Sequence, residues 1–106
     1  MLFINRSNTN KKQHIHLSGN LSGIDALSFR DSLYKIFDEE SAQVVLDLSQ
    51  VNEMDLTGFN AIVMLKKEAI NRSKDLFLIV QEGNPVKEFI HLSKLTFNCL
   101  PINQIQ

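Results

Sequence analysis

The sequence is poor in the residues that mark specialised chemistry. It has one cysteine, two prolines, four glycines and no tryptophan in 106 residues. A lone cysteine excludes an intrachain disulfide. Cys99 lies among Leu95, Phe97 and Leu100 with no neighbouring cation, so it reads as a buried packing thiol rather than a reactive one. Charge of one sign is missing too: the formal net charge is −1, which gives no electrostatic footprint for nucleic acid. No apolar run approaches the ~20 residues that span a bilayer. Met1–Arg6 lacks the basic region and long apolar stretch of a signal peptide. A cytoplasmic protein without membrane insertion is expected. No internal repeat or low-complexity segment appears, and the length suits a single domain over 1–106.

The motifs of common catalysts are also absent. There is no Gly-x-Gly-x-x-Gly, no phosphate-binding loop ending in Gly-Lys-Ser or Gly-Lys-Thr, and no Gly-x-Ser-x-Gly elbow. The histidines are His14, His16 and His91. His14 and His16 share the polar side of a strand, but no cysteine, histidine or acidic cluster nearby completes a metal site. They read as exposed polar residues, and His91 as a helix surface residue. No metal, no cofactor and no enzymatic activity is expected.

What is present is a regular alternation of strand and helix patterns. Leu2–Asn5 and His14–Leu17, separated by the polar stretch Arg6–Gln13, suggest a β-hairpin whose second strand ends at Gly19. Ser22 then stands as the cap of a helix, with Asp25 at its positive end. Its inner stripe reads as Ile24, Leu27, Leu33, Ile36 and Phe37, with Phe29 less certain. Val44–Leu48, apolar without alternation until its end, and the continuous apolar run Leu76–Val80 carry the mark of strands covered on both faces. Between them Ser49–Asp55 reads as a polar loop, followed by a helix from Leu56 or Thr57 to about Arg72. Phe59, Ile62, Leu65, Lys66, Ala69 and Ile70 trace its inner face. Pro85 suits the first turn of a third helix carrying Val86, Phe89, Ile90 and Leu92. Thr96–Leu100 reads as a last strand stopped by Pro101, and Asn103–Gln106 as a frayed tail. The order β-β-α-β-α-β-α-β argues for an α/β domain with a mixed, mostly parallel sheet of four to five strands. Right-handed crossovers put the helices mainly on one face.

The one distinctive chemical position is the turn Asp55-Leu56-Thr57-Gly58. It follows a buried strand and opens a helix, where backbone amides lack partners and the dipole favours negative charge. A phosphate on Thr57 would be tolerated by those amides, while adding about 1.5–2 negative charges beside Asp55 and Glu53. Gly58 would leave room above the hydroxyl for another protein's active site. Taken alone, the same residues also suit an ordinary helix cap.

Val44 to Phe59, with Asp47-Leu48-Ser49 followed by Asp55-Leu56-Thr57-Gly58, resembles the central signature of the STAS family, typified by bacterial anti-sigma-factor antagonists. His16-Leu17-Ser18-Gly19-Asn20-Leu21 is similar to the family's early strand and Gly-x-Leu turn, and Leu76–Val80 with Val86–Leu95 to its later strand and helix. The resemblance covers essentially the whole chain. It implies a protein-binding regulator in signal transduction and transcription regulation, with Thr57 as phosphoacceptor. The unphosphorylated form would bind a serine/threonine kinase that doubles as an anti-sigma factor. Phosphorylation would release it, and a phosphatase would reverse the change. Asp55, Leu56, Gly58 and the loop residue Ser22 would lie at the contact, joined by Asn60, Ala61 and Met64, which point away from the inner stripe. Leu56 replaces the family's usual first serine, leaving Thr57 as the only hydroxyl in the turn. The alternative within the family is a constitutive subunit of a larger assembly, such as a lipid-transport ATPase or a stress-signalling scaffold.

Overall fold

The computed structural model describes residues 1–100; the expected frayed tail Asn103–Gln106 and the stop at Pro101 lie outside them. The chain opens with a hairpin of β1 (Leu2–Thr9) and β2 (Lys12–Leu21). Asn10 and Lys11 form its turn, both at positive φ (51° and 62°), the backbone of a tight turn matched to strand twist. Both strands are longer than the apolar alternation suggests. β2 runs past Gly19, which sits at φ 99° where the ladder with the next strand shifts register between Gly19 and Asn20. Only glycine takes such a φ without cost.

After β2 come α1 (Gly23–Asp31) and α2 (Leu33–Ile36), then β3 (Gln43–Met54), α3 (Leu56–Asn71), β4 (Asp75–Ile79), α4 (Pro85–Ser93) and β5 (Asn98–Leu100). The five strands lie in one sheet in the order β1-β2-β3-β4-β5. β1 and β2 are antiparallel, and the other three pairings are parallel. This is the expected mixed, mostly parallel α/β sheet.

One core cluster joins alternate strand residues (Ile15, Leu17, Val44, Leu46, Leu48, Leu76, Leu78) to residues of all four helices, including Phe29, Leu33, Ile62, Leu65 and Val86. The helices therefore cover one face. The intervening residues His14, His16, Val45, Asp47, Phe77 and Ile79 turn to the other. Val45 and Ile79 are buried even there, which is why their strands read as unbroken apolar runs. Across this second face His16 Nδ1 pairs with Asp47 Oδ2 at 3.1 Å. The other oxygen of Asp47 accepts from the Ser49 amide (2.9 Å) and hydroxyl (2.6 Å). Both histidines thus sit on the polar side of their strand.

Four expectations about elements are corrected. The segment Ser49–Asp55 is not a loop: β3 continues to Met54, paired with β2 as far as Leu21↔Met54. The first helix is two helices, broken at Ser32, whose hydroxyl donates to the Phe29 carbonyl at 2.8 Å and so competes with the helical ladder. Cys99 is exposed rather than buried, because its strand is the short outer edge of the sheet. Ile70 on α3 and Leu92 on α4 are exposed as well, each lying at the margin of its helix's apolar stripe.

Candidate functional site

The turn singled out in the sequence lies where two helices begin side by side. Asp55 is the N-cap of α3, with extended backbone (φ −110°, ψ −174°). Its Oδ1 accepts from the Gly58 amide at 2.9 Å, and its Oδ2 accepts from the Gly23 amide, at the start of α1, at 3.0 Å. One carboxylate thus caps its own helix and ties in the neighbouring one. The amides of Gly58 and then Gly23 hold its carboxyl below the ordinary aspartate range, because hydrogen bonds to the charged form favour it. Ser22, expected to cap α1 with its hydroxyl, occupies the N-cap position but makes no side-chain cap bond. Asp55 does that work from across the structure.

Gly58 is buried, and it has a different reason to be glycine from the one its sequence suggests. A Cβ there would stand 1.9 Å from the Leu21 carbonyl oxygen and 2.9 Å from Met54 Cγ. The missing side chain lets α3 press against the end of β2; it opens no space above Thr57. Thr57 occupies the second helical position, half-buried, and Leu56 before it is 64 % exposed. The amides of Leu56 and Thr57 fall in the first turn, where no intrahelical acceptor exists. No acidic side chain lies in that first turn of α3, so the negative charge at the dipole's positive end comes from Asp55 alone.

Helical geometry sorts the rest of α3. Phe59 stacks on Phe89 of α4 (centroids 5.5 Å apart), and the Lys66 ammonium lies 4.9 Å from the Phe97 ring, so this flank faces α4 and β5. The opposite flank faces α1 and α2: Arg72 lies over the Phe37 ring, 5.3 Å from its centroid. Thr57, Met64 and Glu68, spaced by seven and four residues, belong to that second flank. Asn60 and Met64 are exposed as expected. Ala61 is not: it is fully buried, because it lies on the α1 side of the inner stripe, and so it is removed from the contact surface along with Gly58.

α1 supplies what sequence reasoning assigned to the core. Ala26 and Phe29 are its buried residues, while Ile24 is 80 % and Leu27 38 % exposed. The two sets are alternatives. Residues 24 and 29 lie about 140° apart on a helix, so once Phe29 turns inward Ile24 must turn out. Leu27 stands one turn beyond Gly23, on the flank that Gly23 presents to Asp55. Exposed Ile24 and Leu27 on α1 and exposed Leu56 and Met64 on α3 thus leave apolar side chains uncovered on both helices whose starts meet at Asp55.

Among the described residues no group of three or more histidine, cysteine, aspartate or glutamate side chains is placed to hold a metal ion. Among the same residues no helix is long and apolar enough to cross a membrane.

The family model described as "Mlab, STAS domain" matches residues 4–97. No curated protein matches the chain. Among solved structures, an anti-sigma factor antagonist from Mycobacterium paratuberculosis superposes with a TM-score of 0.80 at 15 % identity, over 93 % of this chain and 85 % of that one. The anti-sigma factor antagonist SpoIIAA in its unphosphorylated form superposes with a TM-score of 0.66 at 13 % identity, over 92 % and 87 % of the respective chains. At these identities the two likenesses speak for the fold.

Proposed function

The chain belongs to the STAS domain family, and on that premise we propose that it is a regulatory protein-binding domain, docking through the α1–α3 end and switched by phosphorylation of Thr57. The observation that carries this reading is the set of exposed apolar residues on α1 and α3 (Ile24, Leu27, Leu56 and Met64), the two helices that Asp55 ties together beside the half-buried Thr57. Apolar side chains with a polar centre are what a protein partner buries.

The same geometry gives a phosphate its effect. On Thr57 it would sit at the positive end of the α3 dipole, beside first-turn amides that have no intrahelical acceptor, so α3 would remain folded. It would also bring about 1.5–2 negative charges next to Asp55, into the middle of an apolar contact. Burying that charge without a matching cation on the partner is costly, so the complex separates. The partner in this reading is a serine/threonine kinase that is also an anti-sigma factor, with a phosphatase resetting the switch. Its contact includes Asp55, Leu56, Asn60, Met64 and the loop at Ser22.

Affinity capture with the wild type, Thr57→Ala and Thr57→Glu, followed by phosphopeptide mapping in the presence of ATP, tests it. The expected result is a kinase captured by wild type and Thr57→Ala, at least tenfold weaker capture by Thr57→Glu, and phosphate on Thr57 alone. Capture of an ATPase assembly equally by all three, with no phosphate on Thr57, would instead make the chain a constitutive subunit. In that role Asp55's double cap would be the whole purpose of the turn.

A further inference from the structure

We propose that the free edge of β1 is a self-association surface, on which two copies pair their β1 strands antiparallel about a two-fold axis at Asn5. The direction of every backbone group on β1 follows from the hairpin. Thr9 and Lys12 close a two-residue turn in which both central residues have positive φ. In that geometry the closing residues are hydrogen-bonded to each other. At the far end of the ladder the Asn20 amide donates to the Met1 carbonyl at 3.1 Å, in phase with that pair. Antiparallel pairs alternate, so Phe3, Asn5, Ser7 and Thr9 spend their N–H and C=O groups on β2. Leu2, Ile4, Arg6 and Asn8 point theirs outward, along an edge that carries no further strand among the described residues.

Edge strands usually carry a feature that discourages pairing, such as proline, lysine or a bulge. β1 has none of these: its sequence is Leu-Phe-Ile-Asn-Arg-Ser-Asn-Thr, and its ladder with β2 has no register shift. Phe3 is 57 % and Ile4 41 % exposed. The single charge, on Arg6, is directed to the Lys35 carbonyl (3.3 Å).

The strand also complements itself. A symmetric pairing must match outward-pointing residues with outward-pointing residues, which leaves two registers that pair all but one residue of the strand (2–8 or 3–9). One puts Arg6 on the axis against its own copy, setting like charges directly opposite, which is destabilising. The other puts Asn5 on the axis, Ile4 across from Arg6, Leu2 across from Asn8 and Phe3 across from Ser7. No like charges then face each other, and the strand closes as an isologous pair. The occupant favoured by this pattern is a second copy of the chain.

The test is site-specific crosslinking in a Cys99→Ser background, alongside sedimentation of the unmodified chain. In the inferred register the two copies of residue 5 form a non-hydrogen-bonded pair with Cα atoms about 4.5 Å apart, within disulfide reach. The two copies of residue 7 are about 14 Å apart. Under mild oxidation Asn5→Cys should give a covalent dimer, and Ser7→Cys should remain monomeric. Sedimentation should show a concentration-dependent dimer that Ile4→Pro abolishes, since proline there removes an outward N–H and leaves the bonds to β2 intact. A thermal melt of Ile4→Pro matching the wild type would exclude misfolding as the cause. A chain that stays monomeric at millimolar concentration, or equal crosslinking at positions 5 and 7, would overturn the proposal.

Discussion

Replacing Gly58 with alanine separates two physical effects of opposite sign. In a helix, alanine is favoured over glycine by about 1 kcal/mol, so at an unobstructed position the change stabilises. At Gly58 the new Cβ would meet the Leu21 carbonyl oxygen at 1.9 Å. That is about 1.5 Å inside ordinary contact. Met54's flexible side chain, the next nearest group, can swing aside. Leu21's carbonyl belongs to a strand paired with β3 and cannot. The start of α3 must therefore withdraw, stretching the bonds from Gly58 and Gly23 to Asp55. Loss of an N-cap costs about 1 kcal/mol, and overpacking costs about 1–3 kcal/mol. Set against the propensity gain, the net loss is about 1–3 kcal/mol. Urea denaturation followed by circular dichroism, with the exposed Asn60→Ala as a reference expected within about 0.5 kcal/mol of wild type, measures it. A Gly58→Ala protein as stable as wild type, or more so, would refute the close approach of α3 to β2 and the account of the site built on it.

Other outcomes follow from the same geometry. Asp55→Ala should lose about 1 kcal/mol of stability at neutral pH. Because Asp55's pKa is depressed in the folded state, its contribution is fully present above the ordinary aspartate value near 3.9 and is lost as pH falls below it. The stability difference between wild type and Asp55→Asn should shrink to nothing on acidification, and urea titrations at stepped pH would reveal a constant difference if the double cap were wrong. The double variant Ile24→Ser, Leu27→Ser should melt within a few degrees of wild type while weakening partner capture at least tenfold; a large loss of stability would place those residues back in the core. Leu46→Ala, at a fully buried position of the central strand, should cost about 2–5 kcal/mol in the same urea assay.

Much of the architecture was legible in the sequence because burial leaves periodic traces. Val44–Leu46 and Leu76–Val80 are apolar without alternation because both faces of their strands are largely shielded, and one amphipathic helix, α3, separates them. The family resemblance gave the order of elements independently. What remained hidden depended on long-range contacts. Asn52 and Glu53 look like loop residues, yet β3 continues through them: β2 is long enough to pair with Glu53 and Met54, and Asn52 is the unpaired residue where the ladder shifts register. The apolar residues of α1 fit two different stripes, and only the packing of Phe29 against the core decides between them. The site was legible as a turn with a single hydroxyl. The link between Asp55 and Gly23 spans 32 residues, and no local pattern encodes it. The sequence pattern marks Gly58 but not its constraint, which comes from Leu21's backbone rather than from its own neighbours in sequence.

The unequal lengths of the strands leave the sheet with two regimes of cohesion. β4 accompanies β3 only from Gln43 to Asp47; beyond that point β3 has β2 on one side alone. The side chain of Asn84 takes the place of a strand there, donating to the carbonyls of Leu48 (3.0 Å) and Val51 (3.3 Å) while accepting from the Val86 amide (2.8 Å). A segment supported by one ladder and one side chain opens at lower free energy than the triply stranded part behind it. Amide hydrogens of Val44–Leu46 should then exchange by global unfolding, and those of Val51–Met54 by a smaller, local excursion. The end of the molecule that carries Thr57 should then loosen and re-form while the body of the sheet stays folded, so on the proposed docking reading the fold sets how much mechanical freedom that surface has when a partner closes over it.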